Sequence, residues 1–199
     1  MEKGPLPKDI TINTYLNNVI STLNDIPLDT IARISKQIFD SIISRKLIFV
    51  VGNGGSSALA GHFTADLFKL GIEFGISVRA ITLGINPAIV SANGNDYNFI
   101  EGYGNEIKNL ADKNDILFMI SSSGTSPNII HVAKKAKEMK LVCLCLTGFK
   151  NSLVEQYCLD GLNLDLEFGQ YGEAEDVHGS VLHGIIHELR RLFMERNKS

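Results

Sequence analysis

Tryptophan is absent from this chain, cysteine occurs only three times, and proline five times in 199 residues. Three thiols cannot build the paired disulfide framework that holds small secreted folds together. Two of them, Cys143 and Cys145, alternate inside the apolar run Leu141–Leu146. On a strand they would face the same way, as small buried hydrophobes rather than as metal or redox groups. Neither sign of charge dominates: 19 Lys and Arg against 22 Asp and Glu leave a formal net charge of -3. No basic footprint for nucleic acid is present. No apolar run approaches the roughly 18 residues of a membrane span. The opening Met1-Glu2-Lys3-Gly4-Pro5 lacks a basic-then-apolar leader, so a cytoplasmic protein is expected.

What is present suits a buried core. Hydrophobic residues make up 44% of the chain and charged ones 21%, near the averages for soluble globular proteins. One domain over residues 1–199 is expected, with a helical extension over 1–45 and an α/β core over 46–199. Residues 1–8 are polar, contain Pro5 and Pro7, and read as a loose arm. Between Thr11 and Ser44, apolar residues recur at helical spacing (Tyr15, Leu16, Val19, Ile20, Leu23, then Ile31, Ile34, Ile38, Ile42). A break at residues 24–29 divides them into two helices, the second with Asp29 as its expected N-cap.

A unit of strand, polar loop and helix then recurs. Leu47–Val51 runs into Gly52-Asn53-Gly54-Gly55-Ser56-Ser57 and a helical stretch to Leu70. Ile116–Ile120 runs into Ser121-Ser122-Ser123-Gly124-Thr125-Ser126 and a helical stretch to Met139, and Leu141–Leu146 ends in Thr147-Gly148. Further strands fit residues 77–83 and 162–166, and a helix fits 174–196. Continuous apolar strands alternating with helices predict a parallel sheet covered on both faces, a three-layer, doubly wound α/β fold.

Both polar loops fall where open α/β sheets bind ligands, at the carboxyl end of a strand and the start of a helix. The glycines let backbone approach a ligand, and the second loop supplies five hydroxyls around one glycine. A serine-rich loop without lysine suits a monoester phosphate held by neutral donors and a helix dipole. A Walker loop needs Gly-Lys-Ser/Thr and a dinucleotide fingerprint needs G-x-G-x-x-G; neither is here. Ordinary capping turns have the same composition, but two such loops in equivalent places favour a ligand.

His62 and Asp66 stand four apart on the helix after the first loop, and Glu175 and His183 eight apart on the last helix, so each pair shares a face. Imidazole and carboxylate are ligands for zinc and similar ions. Spacing alone does not separate that role from core or solvated residues, as for His131 and His187.

With these motifs assembled, the chain resembles the phosphoheptose isomerases of the sugar isomerase (SIS) superfamily. The resemblance rests on Gly52-Asn53-Gly54-Gly55-Ser56 with His62-Phe63, on Asn95-Asp96-Tyr97, on Ser121 to Asn128, and on Glu175-Asp176-Val177-His178 with His183. It implies a five-stranded parallel sheet, a homotetramer with active sites where subunits meet, and a sugar-phosphate substrate. Ser56, Ser121, Ser123 and Ser126 match positions that hold the phosphate, with Ser122 in the same loop and Gly54 and Gly55 in the first. Asn53 and Asp96 match positions that bind the sugar chain, as Glu175 does beside them. His62, Asp66, Glu175 and His183 match a zinc site, and Asp66 and His183 an acid–base pair. The chain departs from the family's main line in having Asp66 for glutamate, Glu175 for glutamine, and Leu70 beside Lys69 for an arginine. The implied activity is isomerisation of sedoheptulose 7-phosphate for lipopolysaccharide or capsule heptose. The alternatives are another phosphoketose, or a non-catalytic tetramer serving as a protein platform, as in the replication-initiator-associating relative.

Overall fold

The computed structural model describes residues 10–198; the loose arm expected over residues 1–8 lies outside them. The helices are α1 (Ile12–Asn24), α2 (Leu28–Ile43), α3 (Gly55–Phe74), α4 (Pro87–Asp96), α5 (Gly102–Leu110), α6 (Pro127–Glu138) and α7 (Tyr171–Arg196). The strands are β1 (Leu47–Gly52), β2 (Arg79–Thr82), β3 (Ile116–Ser121), β4 (Val142–Phe149) and β5 (Asp160–Leu166). All pair in parallel, in the order β2-β1-β3-β4-β5.

The apolar runs are continuous because both faces of the sheet are buried. In β1, Ile48 and Val50 join one core while Phe49 and Val51 join the other; in β3, Ile116, Phe118 and Ile120 oppose Leu117 and Met119 in the same way. Helices α2, α3 and α7 cover the first face, and α5 and α6 the second. Cys143 and Cys145 point into the second core. Burial pushes the Cys143 thiol up to about 12. A contact with Cys158, with burial, raises Cys145. Both thiols are held away from the reactive thiolate.

This strand order creates the crevice that positions the site. From β1 the chain moves outward to β2, then returns to the other side of β1 to form β3. Helix α3, after β1, lies on one face, and α6, after β3, on the other. The two loops therefore leave neighbouring strands and diverge, which makes a topological switch point.

Two local expectations are corrected. Asp29 is not the cap of α2: Pro27 holds that position in an extended conformation, without a side-chain hydrogen bond, and Asp29 sits in the first turn. With proline's fixed φ at the cap, the helix starts two residues earlier than expected. Helices α4 and α5, between residues 83 and 116, had no counterpart in the sequence reading. α4 has no buried residue and its apolar side chains show no one-sided pattern.

Candidate active site

The glycine loop connects β1 to α3. Gly54 is the N-cap of α3 with φ of 54°, a conformation that favours glycine. No side chain caps α3. Helix α6 begins in the same state, with Ser126 at the cap, Pro127 following, and no capping hydrogen bond from Ser126. Both helices start at the carboxyl ends of adjacent strands, the placement that suits an anion, although α6 opens with a proline and its Ile129 amide is already bonded to Asn128 Oδ1 at 3.0 Å.

The serine loop divides into inward and outward hydroxyls. Ser121 Oγ accepts a hydrogen bond from the Gly124 amide at 3.1 Å, so it braces the loop. Ser122 is buried, and its carbonyl accepts from the Gly148 and Phe149 amides at 3.0 and 2.8 Å. Ser122 Oγ has no partner. Ser123 and Ser126 are half-buried, with hydroxyls 3.5 Å apart. With Thr125 they line a cleft of about 1020 Å³ that also reaches Lys134, Lys150 and Tyr171. Ser56 is buried in the first turn of α3.

Further along α3, three side chains converge. His62 Nε2 lies 3.2 Å from Asp66 Oδ2 and 3.2 Å from His183 Nε2, and the last contact, His183 Nε2 to Asp66 Oδ2, is 3.8 Å. Both imidazoles are more than half exposed, at 56% and 57%, while Asp66 is only 15% exposed. Phe63, next to His62, packs edge to face on Phe118 of β3 with centroids 5.5 Å apart, which fixes the helix under the trio. The spacings suit one small cation: ligands on a tetrahedral zinc with bonds of about 2.0–2.1 Å lie about 3.3 Å from each other. The three ligand atoms all fall within 4.8 Å of one another, and the exposed side leaves coordination positions open. Asp66 Oδ1 faces the other way and meets Lys69 Nζ at 3.1 Å.

Glu175, the fourth residue of the expected ligand set, lies apart from this group. The eight residues from Glu175 to His183 share a face of α7 but are separated by about 12 Å along its axis. Because α3 and α7 run side by side in the same direction, Glu175 falls opposite Gly55 and His183 opposite His62. A Cβ at Gly55 would collide with the Glu175 carboxylate, so the acid sits against the start of α3. Burial, with the neighbouring Asp176 charge, raises its pKa above the usual glutamate value. Tyr15 on α1 anchors this turn through a 2.5 Å hydrogen bond to Asp176 Oδ2, which pushes the phenol up to about 12.

Asp96 ends α4, exposed, and accepts from Asn95 Nδ2 at 2.7 Å. It makes no hydrogen bond to either loop. The Asn53 amide pairs reciprocally with that of Asn128 at 2.9 and 2.8 Å. Asn128, Tyr103 and Lys69 are three residues near the site that the sequence reading did not assign. Asn128 follows the serine loop directly; nothing in the sequence tied Tyr103, fifty residues from Asn53, to the glycine loop.

Among known proteins, the SIS domain family profile matches residues 13–148. A phosphoheptose isomerase of Campylobacter jejuni subsp. jejuni serotype O:6 is 34% identical over 136 residues, covering 68% of this chain and 72% of that protein. Phosphoheptose isomerase 1 of serotype O:2 is 31% identical over 153 residues, covering 77% and 81%. Among solved structures, a phosphoheptose isomerase from Francisella tularensis superposes with a TM-score of 0.79 at 25% identity, covering 90% of this chain and 94% of that one.

Proposed function

Because this chain belongs to the SIS domain family, and within it to the phosphoheptose isomerases, we propose that it converts sedoheptulose 7-phosphate to D-glycero-D-manno-heptose 7-phosphate for lipopolysaccharide or capsule heptose synthesis. The observation that carries the reading is the convergence of His62, Asp66 and His183 between α7 and α3, the helix that the glycine loop opens. A phosphate handle at one end and acid–base groups at the other is what a phosphosugar isomerase requires.

Moving a proton between C1 and C2 needs a base and a stabilised enediolate. In this reading the helix N-termini and the hydroxyls of Ser123, Thr125 and Ser126 hold the phosphate, and that remote binding energy positions the reacting carbons. Asp66 and His183 share the acid–base work. Asp66 turns Oδ2 toward the imidazoles and Oδ1 away from them, which leaves one oxygen for a proton. Glu175, beside Gly55, contacts the sugar chain. Polarisation of the substrate's carbonyl and hydroxyl oxygens is the chemistry that a zinc-like ion supplies when bound by His62, Asp66 and His183.

The same reading includes a homotetramer in the cytoplasm. Apolar side chains stand exposed on α1 (Ile12, Leu16, Ile20) and on α3 (Phe68, Ile72), and their burial against other copies would favour assembly. Among the described residues, no helix is long and apolar enough to cross a membrane. The trio disfavours a non-catalytic platform, which has no use for it. Incubating the purified protein with sedoheptulose 7-phosphate and assaying for the aldose tests the proposal; tight binding without turnover would overturn it.

A further inference from the structure

Just beyond the trio, α3 and α7 meet again through an ion pair. Arg190 forks onto Glu73: its Nε donates to the two carboxylate oxygens at 2.8 and 3.0 Å, and its Nη2 donates to Oε2 at 2.9 Å. Glu73 follows Asp66 by seven residues on α3, and Arg190 follows His183 by seven on α7. Each therefore stands two turns along the face that carries the trio. With His183 opposite His62, Arg190 is level with position 69, one turn past Asp66 and one turn short of Glu73. Two carboxylates are in reach of one guanidinium, and Glu73 holds it. The hydrogen bonds to Glu73 raise the Arg190 pKa, and the attraction of the Asp66 carboxylate adds to them. Asp66 itself has Oδ1 on Lys69 at 3.1 Å and Oδ2 turned to the imidazoles, 3.2 Å from His62 and 3.8 Å from His183.

We infer that Glu73 is a positioning residue that keeps the Arg190 guanidinium off Asp66, so that Oδ2 stays available between the two imidazoles. An arginine fork seeks a carboxylate, because its charge-assisted bonds to one are among the strongest a side chain makes. Asp66 is the less exposed of the two acids, 15% against 41%, so a guanidinium released from Glu73 meets less competition from water there. Once on Oδ2 it occupies the oxygen that a metal ion needs. Arginine has no acceptor atom to offer that ion in exchange, and its charge repels it. A second role, as a clamp that sets the spacing of the helices, has less to recommend it. Phe63, Leu67 and Leu70 of α3 already share a buried core with Leu182, Ile186 and Leu189 of α7, and a partly exposed ion pair adds little to such packing. The inference rests on the reading of His62, Asp66 and His183 as a cation site.

The test is the zinc affinity of the full chain, read by competition with a chromophoric chelator, for the wild type, Glu73→Gln, Arg190→Gln and the double variant. Both side chains are partly exposed and glutamine is a good helix former, so all four proteins should fold; each is measured well below its melting temperature. Glu73→Gln should weaken zinc at least tenfold. Arg190→Gln should leave the affinity within about threefold of the wild type. The double variant should return to that same range, because the guanidinium that blocks Asp66 is gone. Equal losses in the two single variants, with the double no better, would make the pair a clamp and overturn the inference. An unchanged affinity in Glu73→Gln would overturn it as well. Tight zinc binding without heptose turnover would sink the isomerase reading and leave the four-way comparison intact. A wild type that binds no zinc would overturn the cation reading and the role of Glu73 with it.

Discussion

The Nε2 atoms of His62 and His183, residues 121 positions apart in the chain, lie 3.2 Å from each other, with their rings edge to face. The contact can be a ring-to-ring hydrogen bond or the collapsed form of a site that a cation would occupy with Asp66, and the metal reading is tested directly. Protein purified without chelator should carry near-stoichiometric zinc or a similar ion. His62→Ala and His183→Ala should each abolish it. Added metal should raise the melting temperature of the wild type through preferential binding to the folded state, and leave both variants unmoved. Unchanged metal content in the variants would refute the site.

The serine loop makes a prediction that separates binding from support. Ser123→Ala with Ser126→Ala removes two hydroxyls that open onto the cleft, and bonds to charged groups are worth about 1.5–3 kcal/mol each. Affinity for sugar phosphates should fall at least tenfold with little change in melting temperature. Ser121→Ala instead takes away the acceptor of the Gly124 amide and should lower stability by about 1 kcal/mol, which thermal unfolding would register. The reverse pattern would mean that the inward and outward assignments are exchanged.

Asp66 carries the largest expected effect on rate. Asp66→Asn keeps the shape but removes basicity and most ligand strength, so turnover should drop by two or more orders of magnitude while inorganic phosphate still binds. Asp66→Glu should also lose activity, since Oδ2 already sits 3.2 Å from His62 and a longer acid has to displace it. Gained activity would show that the shorter acid had impaired the site. Lys69→Met should change kcat by only a few-fold, because Lys69 is 73% exposed and surface ion pairs contribute at most about 1 kcal/mol.

His178 predicts an acid sensitivity unrelated to catalysis. It is wholly buried, neither ring nitrogen has a clear hydrogen bond, and burial lowers its pKa to about 4, opposed by the Thr147 backbone. The folded state keeps it neutral while the unfolded chain takes up a proton below about 6.5. Its contribution is therefore complete above that pH and is lost as the pH falls toward 4, about 3 kcal/mol in all. Urea denaturation between pH 7.5 and 5 should show a shallower decline for His178→Gln than for the wild type. Parallel declines would contradict the assignment.

The sheet was legible because its strands are unbroken apolar runs, and both loops because glycine and serine interrupt them at fixed places. Periodicity put His62 with Asp66 on one face of α3 and Glu175 with His183 on one face of α7, and the family resemblance joined the four as one ligand set. Neither carries an axial distance between helices, and the structure sets Glu175 beside Gly55 rather than beside the trio. Helix α4 escaped notice because nothing on it is buried. The Asn53–Asn128 pair depends on the glycine loop meeting the first turn of α6, 75 residues on, a tertiary fact that no local pattern contains.

Strand β1 hydrogen-bonds to β2 on one side and to β3 on the other, and this ordering has a consequence for how the protein is made. The β1–α3–β2 unit is local and can form early, but it carries only half of the anion site. The second half arrives with β3, whose pairing with β1 spans more than sixty residues and belongs to the slow, non-local part of folding. Closing the sheet and creating the crevice are then a single event. A partly folded chain has the glycine loop without its counterpart, so it has no high-affinity state for a ligand to trap. On the proposed phosphate site, a ligand would bind only chains in which β1 and β3 have paired.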